Sequence, residues 1–295
     1  MKDKLLLLIK LIALIIIYFI CFAIVSGALF SAPAKPQNAN PADAVIALLI
    51  VSCIHSTILA YLILRSRWAG WKLVTAVFLV FFGVATFMPQ IETAYFVSLP
   101  PGMLPRIFLM GAIVAATFSV LAVLILGKIR QSAGDNSWTR LQMPLSEWAW
   151  KAGLIIVLYV VIYFTFGYFI AWQSAAVRAY YGGSDPGGFL SQLSTVPRET
   201  PWLLPLQALR ALLWMAIGVL VVRMLKGGWW EAALTVALLF SLVLSCQLLI
   251  PNEFMPREVR MAHLLETATS DFLFGFLLVT VLFTGTPLKK VSAPA

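Results

Sequence analysis

The sequence predicts an all-α protein, a polytopic membrane bundle of about eight transmembrane helices. Three observations carry this. Hydrophobic residues make up 61% of the chain against 11% charged, with a mean hydropathy of +0.94. The apolar runs are too long for core helices and match the roughly 20 residues that cross a bilayer. Basic residues gather in short loops at alternate ends of those runs, as positive-inside orientation requires.

Span 1 is expected at 5–29. Its apolar stretch runs from Leu5 to Phe30 with only Lys10 interrupting. That exceeds the roughly 7–15 residues of a signal-peptide core, so an uncleaved helix is expected, with Lys10 reaching back to the interface. Spans 2, 3 and 4 are expected at 42–64, 71–97 and 105–127. Pro89 should kink span 3 and free backbone carbonyls there.

Spans 5 to 8 are expected at 150–173, 203–224, 229–250 and 256–284. Tryptophans 68, 71, 148, 150, 172, 202, 229 and 230 fall at span ends, where an amphipathic ring prefers the interface. Trp214, deep in span 6, is the exception.

The organisation expected is a first membrane half, 1–127, a polar connector, 128–149, and a second half, 150–295. Met103-Leu104-Pro105-Arg106 resembles Phe254-Met255-Pro256-Arg257, Arg65 with Trp71 parallels Arg223 with Trp229, and Ile17-Tyr18-Phe19 echoes Ile162-Tyr163-Phe164. With four spans per half, these echoes suggest a 4+4 parallel repeat, a plan on which transporter sites lie between the halves. The stretch from Ala175 to Pro201 holds Tyr180-Tyr181-Gly182-Gly183; its glycines and prolines exclude one long helix, leaving a lid or an irregular connection.

Lys2, Lys4, Arg65, Arg67, Lys128, Arg140, Lys226, Lys289 and Lys290 fall on one side, which places both termini in the cytoplasm and the protein in the cell (inner) membrane. The net charge of +9 is thus explained by topology, and no basic, aromatic-interleaved surface points to nucleic acid. The three cysteines lie inside apolar runs, which argues against a disulfide framework. Walker A, GxGxxG and GxSxG motifs are missing, which disfavours ATP-driven or serine-nucleophile chemistry.

The chemistry concentrates in span 8. Arg257, Glu258, Arg260, His263, Glu266 and Asp271 occupy its first half. At 100° per residue, with His263 as zero, Arg260 falls near about +60°, Glu266 near about −60°, Ser270 near about −20° and Asp271 near about +80°. Leu264, Leu265, Ala268 and Phe272 cover the other side. In lipid such a polar stripe must face protein or water, and ionisable residues there mark a binding or proton pathway.

Arg210 in span 6, Glu92 in span 3 and His55 in span 2 are the expected companions, all in the external half, with Arg210 paired to Glu266 or Asp271. HxxE at His263 and Glu266 has no specificity by itself and HExxH is missing, so no metal and no cofactor is expected. The sequence therefore points to a transporter or permease-like protein, with membrane lipids around it and a small solute or lipid substrate as ligand. An intramembrane enzyme acting on a lipid or isoprenoid, and a non-catalytic subunit with a membrane-protein partner or a second copy, are the competing readings.

Overall fold

The computed structural model describes residues 2–30, 41–130, 141–183, 185 and 187–285. Arg140, Lys289, Lys290 and the middle of the connector lie outside them. Helix makes up 83% of the structure, with no strand among the described residues. Eight helices are long and apolar enough to cross a membrane: Lys2–Leu29, Pro41–Arg65, Gly70–Phe96, Met103–Ile125, Leu145–Ala171, Leu203–Met224, Trp229–Leu249 and Arg257–Phe283. The bundle is that of a multi-pass integral membrane protein. Its outer apolar side chains, Val157 and Val161 among them at 57% exposure, are placed for lipid.

Span 1 packs on spans 2 and 4, and span 3 packs on span 4. In the second half, span 5 packs on spans 6 and 8, and span 7 on span 8. The halves meet where span 2 touches span 7, span 3 touches span 6, and spans 3 and 7 touch each other. Spans 1–4 and 5–8 pack among themselves in corresponding pairs; the expected 4+4 repeat is not confirmed.

Small residues allow the closest approaches. A Cβ on Gly275 of span 8 would lie 2.9 Å from Ala237 Cα of span 7, so glycine there lets two backbones touch. Gly111 of span 4 makes the same allowance for the Thr86 side chain of span 3.

Three spans contain a π-helical turn: Gly83–Phe87 in span 3, Gly167–Ala171 in span 5 and Leu239–Val243 in span 7. Such turns loosen backbone carbonyls, which in lipid need a donor from elsewhere. Each turn has one. His55 Nε2 lies 2.8 Å from the Val243 carbonyl. Gln173 Nε2 donates to the Tyr168 carbonyl at 3.0 Å. Gln247 Nε2, at the end of span 7, donates to the Ala85 carbonyl at 2.6 Å.

The last contact accounts for the expected kink. In α-helical register the Ala85 carbonyl would be served by residue 89, and Pro89 has no N–H to give. The distortion is therefore a π turn just before Pro89, capped from the other half.

On the basic face the loops between spans 2 and 3 and between spans 6 and 7 meet. Ser66 and Leu225 form an isolated antiparallel bridge. Arg67 N donates to Met224 O at 2.8 Å and Lys226 N to Arg65 O at 2.9 Å. Beside them Arg65 makes a bidentate pair with Glu231 of span 7, at 2.5 and 2.8 Å, and Tyr61 donates to the same carboxylate at 3.0 Å. Lys128 donates to the Ser66 carbonyl at 3.0 Å. Burial, and then the nearby Lys226 charge, push its ammonium below the usual lysine range.

Candidate functional site

At 27 residues, span 8 is about 40 Å long, more than a hydrocarbon layer of about 30 Å requires. Its polar stripe faces the bundle. Arg260, Glu266 and Ser270 are buried at 5%, 9% and 7% exposure, while Leu265 on the far side is 55% exposed. Arg260 plays a structural part, since its Nη1 donates to the carbonyls of Leu248 and Leu249, at 2.8 and 3.1 Å, closing the end of span 7. A cation at a helix C-terminus is favourably placed for this.

His263 and Glu266, one turn apart, are joined by a 2.8 Å contact from Nδ1 to Oε2. The other ring nitrogen, Nε2, is 3.2 Å from the hydroxyl of Tyr181. With the proton on Nδ1, the imidazole donates to Glu266 and accepts from Tyr181, so one tautomer serves both contacts. Burial, with Tyr180 next to it, holds the Tyr181 hydroxyl above the usual tyrosine range, which keeps it a donor. The Glu266 carboxylate also abuts the π turn of span 5: a Cβ on Gly167 would lie 3.8 Å from Oε1.

Arg210 sits seven residues after Leu203, about 10 Å along span 6. Its side chain is 5% exposed and pairs with Glu92 of span 3, whose side chain is 30% exposed. The expected pairing with Glu266 or Asp271 is therefore not the one formed. Gln207, one turn earlier, also accepts from Arg210 at 2.8 Å, and the guanidinium lies 5.7 Å from the Tyr159 ring centre.

Asp271 lies within electrostatic reach of Arg210, Glu92 and Glu266. Tyr163 is within reach of Glu92, Arg210 and Glu266. Spans 3, 5, 6 and 8 thus bring Glu92, Tyr163, Arg210, His263, Glu266 and Asp271 into one neighbourhood, with Glu92 paired to Arg210 and Glu266 to His263.

His55 is elsewhere. It is fully buried in the first half, edge-on to Tyr18 and Phe81 with ring centres 5.0 and 5.2 Å away, and Cys246 Sγ lies 3.2 Å from Nε2. It caps the π turn of span 7 and does not join the carboxylates. A cavity of about 20 Å³, room for about one water, lies nearby among Tyr18, Phe81, Thr86, Gly111 and Gln247. Among the described residues, no three His, Cys, Asp or Glu side chains stand close enough together to hold a metal ion.

Three residues of these constellations are absent from the site residues expected from the sequence. Gln207 lies three before Arg210, on the same helical face, which is a legible signal. Gln247 is a lone amide in an apolar span beside no charge. Tyr181 lies in a connection whose path is set by tertiary packing. Comparison with protein families, with curated proteins and with solved structures finds no match for this chain.

Proposed function

We propose that the protein is a transporter that moves a small polar solute or a proton through the neighbourhood of Glu92, Arg210, Glu266 and Asp271. The single observation that carries this reading is the Arg210–Glu92 ion pair, which joins span 6 to span 3 within electrostatic reach of Asp271. Three carboxylates with one guanidinium and one imidazole leave an acid-rich cluster, which low-dielectric surroundings favour balancing with a proton or a cation. Ligand arrival and departure would then make and break the pair.

A second cross-half ion pair, Arg65–Glu231, lies at the opposite end of the bundle beside the Ser66–Leu225 bridge. Two ion-pair latches at opposite ends, between two sets of four spans that pack in corresponding pairs, suit rocking of one set against the other. On positive-inside grounds the Arg65 end is cytoplasmic and the His263 end external.

The test is flux. Purified protein in liposomes, loaded with a pH-sensitive dye and challenged with a pH gradient in the presence of a panel of small solutes, should dissipate the gradient faster than protein-free vesicles. E266Q combined with D271N should abolish the excess while the protein still inserts and folds. Equal rates in the wild type and the double variant would refute the reading.

One observation favours a second reading, an intramembrane enzyme acting on a lipid or isoprenoid. The Tyr181–His263–Glu266 chain has the contacts of a general acid–base relay. Turnover of a lipid substrate that is lost in H263A, without gradient dissipation by the wild type, would select it.

A further inference from the structure

The short helix Ala175–Tyr181 packs on span 8 beside this site. Its Val177 packs with Ala171 and Val259 in a small apolar cluster separate from the main core. Tyr180 donates to the Phe254 carbonyl at 2.8 Å, and Arg178 to the Trp172 carbonyl at 2.6 Å. The helix ends at Gly182, whose φ of +70° is a left-handed cap. Gly183 follows so close to Trp172 that a Cβ would lie 2.7 Å from the indole.

Tyr181 is where this helix meets the membrane spans. Its ring centre is 6.3 Å from that of Phe96 at the end of span 3, 6.2 Å from Trp172 just past span 5, and 5.8 Å from His263 on span 8. Those spans carry Glu92, Tyr163 and Glu266. His263 behind the ring keeps a side-chain exposure of 20%. One aromatic ring therefore fills the space between three spans at the outer edge of the carboxylate cluster, and its hydroxyl holds the imidazole it covers.

We infer that Tyr181 is the gate of the site: its ring narrows the aqueous approach to the His263–Glu266 pair, and lifting the Ala175–Tyr181 helix widens it. The inference rests on the site reading given under the proposed function, and it assigns Tyr181 as a positioning residue that controls access. The closure is local and rests on the ring itself, so motion of a single short helix suffices and the eight spans need not move.

The chain has two histidines, and His55 is fully buried, which supplies an internal control. Protein in nanodiscs is treated with diethyl pyrocarbonate, and modification of each histidine is followed by mass spectrometry. Tyr181→Ala should label at His263 about tenfold faster than wild type, with His55 unreactive. Tyr181→Phe, which keeps the ring, should stay within about twofold of wild type. Trp172→Leu, which withdraws support from the ring, should also raise labelling, and serves if Y181A does not fold. Labelling of His263 in Y181A, or in W172L in its place, at the wild-type rate overturns the inference, as does rapid labelling in Y181F. No flux is measured, so a protein that fails to transport can still pass, and a transporter with a freely reactive wild-type His263 fails this inference alone.

Discussion

Arg210 of span 6 and Glu92 of span 3 form an ion pair between the segments 41–130 and 141–285, with the arginine side chain 5% exposed and the glutamate side chain 30% exposed. Removing one partner strands the other charge; removing both does not. Exposed pairs contribute about 1 kcal/mol or less, while breaking a buried one costs about 3–5 kcal/mol. This partly open pair should fall between.

Replacing Glu92 by Gln, or Arg210 by Met, is therefore expected to destabilise the protein by about 2 kcal/mol each. The double variant should be more stable than the sum of the two, by about 1 kcal/mol or more. Unfolding in detergent or nanodiscs, followed as a double-mutant cycle, checks this.

The Gln247–Ala85 contact predicts a second cycle. Gln247→Leu leaves the Ala85 carbonyl without its donor and should cost about 1–3 kcal/mol. In a Pro89→Ala background the residue at 89 regains an N–H that can serve Ala85, so the same Gln247→Leu change should cost less. An unchanged cost in both backgrounds would show that Pro89 is not what orphans the carbonyl.

Gly275→Ala is expected to part spans 7 and 8. The atoms nearest to the new methyl are backbone, Ala237 Cα at 2.9 Å and Val236 O at 3.1 Å, which cannot rotate away. A loss of about 1–3 kcal/mol is expected. Gly153→Ala, with open space around it, is the control and should leave the unfolding temperature unchanged.

The Arg65–Glu231 latch predicts a functional effect. Cysteines placed at Ser66 and Leu225, in a background lacking the native cysteines, should cross-link under oxidation because these residues face each other in the bridge. Cross-linking should stop gradient dissipation in liposomes, and reduction should restore it. Undiminished flux in the cross-linked protein would exclude rocking about this face.

What could be read directly from the residues followed from local physics. Apolar length placed the spans, though it missed that spans 3, 5 and 7 contain π turns and that span 5 begins at Leu145. Helical geometry put Arg260, Glu266 and Ser270 on one stripe of span 8, and lipid leaves such a stripe no good direction but inward.

Pairing lay beyond that reach. On sequence alone Arg210 is expected to pair with Glu266 or Asp271; span 6 packs on both span 3 and span 8, and the side-chain geometry gives the pair to Glu92. His55 looked like a member of the same group because depth alone was legible, whereas its azimuth places it against Tyr18 and Phe81 in the other half.

The sequence by itself determined an eight-helix membrane protein with an amphipathic last span, because hydrophobic length and helical period act within one segment. Only the tertiary structure decided which charges neutralise each other, which side chains serve the loosened carbonyls, and that Tyr181 covers His263. Those are relations between segments far apart in the chain, and side-chain packing rather than hydropathy sets them.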